Sequence, residues 1–103
     1  MPTWIDVAAT HELMPGDKKI LVHQDRAIAV FNLDGQYYAI EDSCSHHALP
    51  LSEGKISGDV ITCPFHGAQF CLKTGKALCA PARTDLLTFK TRVEANRVQI
   101  AID

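Results

Sequence analysis

No apolar run in this chain is long enough to cross a membrane. The longest aliphatic stretch, Ala27–Phe31, falls far short of the about 20 residues that a spanning helix needs. A basic stripe is also missing: Lys and Arg are scattered from Lys18 to Arg97, and the net charge is -2 with histidine neutral. That balance argues against a nucleic-acid partner. There is no Gly-x-Gly-x-x-Gly run, so the chain lacks the fingerprint of a flavin or nicotinamide site. No segment has the period of a long amphipathic helix, and no repeat, low-complexity tract or linker is present. Met1–Asp6 has neither the basic start nor the apolar stretch of a signal peptide, so the expected compartment is the cytoplasm. His11, His23 and His47 form no His-x3-4-His pair with a distant carboxylate. That absence excludes the facial triad of a mononuclear iron oxygenase.

What the chain does have is a β texture. Short alternating or apolar runs are separated by turn residues, as in a sandwich or barrel. Expected strands are 4–8, 19–23, 27–32, 36–41, 55–57, 60–62, 69–71, 76–78, 87–94 and 97–102. Turn signals stand at Asp34-Gly35, Ser57-Gly58-Asp59, Thr74-Gly75 and Asn96-Arg97. Thr10–Gly16 reads as one helical turn capped by Thr10 and ended by Pro15 and Gly16. The length of 103 residues suits a single domain, 1–103.

Composition changes in the middle. Residues 42–82 hold all four cysteines, Cys44, Cys63, Cys71 and Cys79, and three of the five prolines. The expectation is a β scaffold from 1–41 and 83–103, with 42–82 as a metal-holding subdomain. Within it, Cys44-Ser45-His46 and Cys63-Pro64-Phe65-His66 each pair a thiolate with an imidazole, and sixteen residues separate His46 from Cys63. Two such loops can hold a two-iron, two-sulfide cluster, the cysteines on one iron and the histidines on the other. The competing reading is zinc in a Cys2His2 site. Structural zinc sites more often present Cys pairs and His pairs, whereas each loop here mixes the two. Pro64 restricts the backbone after one ligand, and Gly67 leaves its amide able to face a bridging sulfide.

The pattern Cys-x-His, sixteen residues, Cys-x-x-His resembles the Rieske [2Fe-2S] signature. The likeness extends over Glu41–His46, Leu51–Gly54, Gly58–Gly67, Thr74–Ala77 and Pro81. These resemble the stand-alone Rieske ferredoxins of bacterial aromatic ring-hydroxylating dioxygenases. The resemblance implies an all-β Rieske fold of three antiparallel β-sheets, with a small cluster-binding subdomain at one end. It implies one [2Fe-2S] cluster, with Cys44 and Cys63 on the buried iron and His46 and His66 on the outer one. The implied role is a non-catalytic, monomeric one-electron carrier in aromatic hydrocarbon catabolism. Its transient partners would be a ferredoxin reductase, an NAD(P)H-dependent flavoprotein, and a terminal oxygenase. Service to a nitrite reductase or a monooxygenase is the alternative.

The resemblance also bears on potential. High-potential members of the family carry a disulfide between the cluster loops, at positions that here are Leu49 and Phe65. They carry Ser and Tyr where this chain has Ala68 and Phe70. Fewer donors to sulfur imply a low potential. Leu49, Pro50, Phe65 and Pro81 are expected to form an apolar collar. His47 reads as a loop residue without a metal role, and His11 and His23 read as surface residues. Cys71 and Cys79 flank a hairpin, where some registers would oppose them, but free thiols are expected in a reducing compartment. Trp4, Phe31, Tyr37, Tyr38 and Phe89 are expected in the scaffold.

Overall fold

The computed structural model describes residues 3–42, 51–63, 67–79 and 85–102. Every strand pair among them is antiparallel. The strands are β1 (Thr3–Ala9), β2 (Lys18–His23), β3 (Arg26–Leu33), β4 (Gln36–Glu41), β5 (Lys55–Ser57), β6 (Val60–Thr62), β7 (Gln69–Cys71), β8 (Ala77–Cys79), β9 (Thr88–Phe89), β10 (Thr91–Glu94) and β11 (Arg97–Ile102). They make three sheets, ordered β1-β11-β10, β2-β3-β4-β9 and β5-β6-β7-β8.

The sheet built on β3 lies between the other two, and the sequence shows why. Side chains alternate across a strand. Ala29 and Phe31 pack with Ile61, Cys63, Phe70, Leu72 and Leu86. Ile28 and Val30 pack with Val7, Leu13, Val98 and Ile100 on the other side. The longest aliphatic run of the chain is therefore a strand buried on both faces. Burial of each Val, Leu, Ile or Phe side chain among them contributes about 1.5–3 kcal/mol.

Four hairpin turns among the described residues have two residues each, and in three of them, Gln24-Asp25, Asp34-Gly35 and Ala95-Asn96, both residues have positive φ. Positive φ at both central positions is the turn geometry that matches strand twist. Gln24 and Ala95 adopt it without being turn-forming types, so strand pairing imposes it there.

Three local expectations need correction. The run 87–94 is two strands, not one. Thr88 and Phe89 pair with β4, whereas Thr91–Glu94 pair with β11. Alternation continues through Lys90 while the hydrogen-bonding partner changes, and side-chain pattern carries no record of that change. The helical turn is a 3-10 turn over Thr10–Glu12 whose cap is Ala9, not Thr10. The Ala9 amide donates to Glu12 Oε1 at 2.9 Å, which places the turn's start one residue earlier. A second 3-10 turn, Leu51–Glu53, had no sequence signal. Strand β8 starts one residue later than expected, beyond a register shift between Gln69 and Phe70.

Sheet β1-β11-β10 also carries an exposed ion pair. Arg97 Nη2 lies 2.8 Å from Asp6 Oδ2. The hydrogen bond from Arg97 holds the Asp6 carboxyl below its usual value, and the Ala9 amide does the same for Glu12. Both groups have lowered folded-state pKa values. Their stabilisation is present above the unfolded carboxylate range and is lost as pH falls through the folded values. Melting temperature should therefore drop below about pH 4, and Asp6→Asn should flatten that part of the curve. Superimposable acid limbs would contradict this.

Candidate metal centre

Strand register brings the bases of the ligand segments together. Lys55 pairs with Thr62, Thr62 with Gln69, and Gln69 with Cys79. These four residues form one row across the β5-β6-β7-β8 sheet. Cys63 follows the row directly, and Gly54 precedes it. Three stretches of sequence adjoin this end: 43–50 through the Leu51–Glu53 turn, 64–66 after Cys63, and 80–84 after Cys79.

Cys63 is 2% exposed and packs in an apolar cluster with Ala68, Phe70, Ile61 and Leu72. Its amide donates to the Ala68 carbonyl at 2.7 Å, and its carbonyl accepts from the Gly67 amide at 3.1 Å. These two bonds tie Cys63 to Gly67 and Ala68. Gly67 has φ of +72°, and a Cβ added there would meet nothing within 4 Å among the described residues. Glycine serves the backbone conformation, since the surroundings leave space. Its amide donates to the Cys63 carbonyl, where the sequence suggested a hydrogen bond to sulfide.

Of the four expected ligands, Cys63 lies among the described residues, while Cys44, His46 and His66 lie outside them. So do His47, Leu49, Pro50, Phe65 and Pro81. The Cys63 environment fits an iron–sulfur ligand: its side chain is a soft donor, water is excluded, and the surrounding side chains are apolar. Ala68 and Phe70 are both fully buried beside it. A cleft of about 680 Å³ lies elsewhere, against Tyr38, Lys73, Leu87 and Phe89, and Cys63 does not line it.

Carboxylates brace this end of the molecule. The Asp42 carboxylate accepts from the Ser52 amide at 2.6 Å and from the Ser52 hydroxyl at 2.8 Å. Lys18 Nζ donates to the Ser52 carbonyl. Glu41 accepts from the Leu87 amide, and Asp85 from the Ala77 amide. Sequence reading did not single out Asp42 or Ser52 as a pair. Their signal was faint, an acidic residue before Cys44 and a serine after the loop.

Other expectations are resolved here. Cys71 is a free thiol. Its amide donates to Lys76, whereas Cys79 pairs with Gln69, so the register does not oppose Cys71 and Cys79. A hydrogen bond from the Thr74 side chain lowers the Cys71 thiol pKa. His11 is exposed, but His23 is half-buried rather than on the open surface. Phe31 is in the cluster with Cys63, Tyr37 and Phe89 pack against the cluster of Ile28 and Val30 on the other face of the sheet, and Arg92 stacks 4.1 Å over half-buried Trp4.

An antiparallel three-sheet scaffold, with a buried thiol just beyond one end of β6, fits a small iron–sulfur protein. The family model described as "Rieske [2Fe-2S] domain" matches residues 3–90. The chain is 43% identical over 88 residues to the 3-phenylpropionate/cinnamic acid dioxygenase ferredoxin subunit of Escherichia coli (strain K12), covering 84% of this chain and 83% of that protein. It superposes with a TM-score of 0.89 and 36% identity on a chain of the complex of reduced oxygenase and oxidized ferredoxin in carbazole 1,9a-dioxygenase. That match covers 95% of this chain and 92% of the other. Sphingomonas yanoikuyae B1 ferredoxin gives a TM-score of 0.88 at 26% identity, over 98% of this chain and 100% of that one. The chain belongs to the Rieske [2Fe-2S] domain family. Its cofactor is a Rieske-type [2Fe-2S] cluster, and it is an electron carrier of the ferredoxin type, with no catalysis of its own.

Proposed function

We propose that this chain carries single electrons from an NAD(P)H-dependent flavoprotein reductase to the terminal oxygenase of an aromatic ring-hydroxylating dioxygenase, in the cytoplasm. The observation that carries this reading is the buried Cys63 thiol, set directly after the row Lys55–Thr62–Gln69–Cys79. Cys44 and Cys63 would hold the inner iron, and His46 and His66 the outer one. When bound, the cluster supplies a one-electron couple. Residues 1–41 and 83–103 act as the scaffold, and 42–82 as the cluster-binding subdomain.

The chain's own residues set the conditions for transfer. Cys63 is held by two backbone hydrogen bonds and shielded by Phe70 and Leu72, which limits reorganisation and excludes water. Ala68 and Phe70 have no hydroxyl to donate to the reduced site, so the added electron gains less stabilisation there. The midpoint potential should therefore lie at the low end of the family's range, roughly −150 mV. Protein-film voltammetry on anaerobically purified protein measures it. A clearly positive value would overturn the argument from Ala68 and Phe70. The function itself is tested by reconstitution: substrate-dependent NAD(P)H oxidation by reductase and oxygenase should require this protein. Equal rates without it would refute the assignment.

A further inference from the structure

Asp42 stands at the end of β4, Ser52 stands in the Leu51–Glu53 turn, and the segment carrying Cys44 and His46 runs between them. Both are buried, at 8% and 3% exposure. The carboxylate takes both donors of Ser52, its amide at 2.6 Å and its hydroxyl at 2.8 Å. The same serine's carbonyl accepts from Lys18 Nζ on β2. The Asp42 amide donates to the Ala27 carbonyl at 2.9 Å, which fastens it to β3. Three strands of the central sheet thus converge on the two residues that bound the first ligand segment. No buried side-chain nitrogen or oxygen among the described residues lacks a partner, so the network is complete as built.

We propose that Asp42 and Ser52, with Lys18, are positioning residues for the cluster: they hold the two ends of the Cys44–His46 segment at a set separation on the rigid sheet. The proposal rests on the ligand reading given above. Loop ends held in place before the metal binds reduce the entropy lost on coordination. They also restrict ligand movement between redox states. Two short hydrogen bonds from one residue to one carboxylate fix orientation as well as distance. Glu53, next to Ser52, is exposed and makes no such contact among those described, so the role belongs to Ser52 by geometry.

Substitutions at 42 separate positioning from charge. Asparagine keeps both contacts, its Oδ1 accepting from the Ser52 amide and its Nδ2 donating to the Ser52 hydroxyl. Alanine keeps neither. In the holoprotein, Asp42→Ala should lose its cluster to a chelator about tenfold to hundredfold faster, with a broadened EPR signal. Asp42→Asn should stay close to wild type. Ser52→Ala, which removes one contact, should show a smaller change in the same direction. Wild-type loss rate and line shape in Asp42→Ala would overturn the proposal, whatever its melting temperature. Equal losses in Asp42→Asn and Asp42→Ala would overturn it too, since charge alone would then be acting. His46→Ala serves as the reference. A retained Rieske spectrum there defeats the ligand reading. Its loss there, with Asp42→Ala and Ser52→Ala unchanged, defeats this inference alone.

Discussion

Cys63→Ser is expected to abolish the visible absorption and EPR signal of the cluster. A serine oxygen is a harder, less acidic donor than a thiolate and holds iron–sulfur clusters poorly. The substitution also acts on the protein without metal. Cys63 sits at 2% exposure among Ile61, Phe70 and Leu72, where a hydroxyl without a partner costs about 1–3 kcal/mol. The turn itself should persist, since the bonds to Ala68 and Gly67 come from the backbone. His66→Ala makes the companion test, with the same spectral loss expected. Spectra taken on anaerobically reconstituted protein, with iron and sulfide counted, measure both. A full Rieske spectrum in either variant would sink the ligand assignment. Stoichiometric zinc in colourless wild-type protein would instead support the Cys2His2 alternative.

Gly75→Ala is expected to destabilise the fold more than alanine at any other glycine described. Gly75 has φ of +76°, and its added Cβ would lie 2.5 Å from the Leu86 carbonyl oxygen and 2.8 Å from Thr88 Cγ2. The Leu86 amide donates to the Gly75 carbonyl at 2.7 Å, and the Gly75 amide donates to Cys71 at 2.7 Å. Backbone therefore crosses backbone at this point, and neither side can yield without breaking a hydrogen bond. A left-handed conformation costs a non-glycine residue about 1–2 kcal/mol, and overpacking adds about 1–3 kcal/mol. The sum, roughly 3 kcal/mol, corresponds to a melting temperature lower by on the order of 15 °C in a domain of this size. Gly58→Ala is the control. Its φ is +61°, but a Cβ there meets nothing within 4 Å, so only the conformational part remains. Equal losses in the two variants would show that the close approach at Leu86 has no effect. Leu86 is in the same cluster as Cys63, so Gly75→Ala should also weaken cluster retention.

The kind of cofactor was legible because ligand chemistry is local. A thiolate and an imidazole one or two residues apart can be read without knowing the fold, as at Cys44-Ser45-His46 and Cys63–His66. Strand positions were legible where turns are marked by Gly, Asp or Asn, as at Asp34-Gly35. Signal failed where neighbours in space decide the outcome. Nothing in 87–94 marks Lys90 as the point where the chain leaves one sheet for another. Ala9 is a cap because the Glu12 carboxylate folds back to its amide, although alanine has no capping side chain. Asp42 and Ser52 are ten residues apart and have no local motif in common. Their pairing exists only once β4 and the Leu51–Glu53 turn are both in place.

The sequence by itself determined the metal chemistry and the all-β class. Each depends on residue type and short-range spacing. The tertiary structure decided which strands share one end of a sheet, which backbone approaches force glycine at 75, and which carboxylate holds Ser52. These depend on contacts between residues distant in the chain, such as Lys18 and Ser52, 34 residues apart. Side-chain periodicity records which face of a strand is buried, but not the strand that lies beside it.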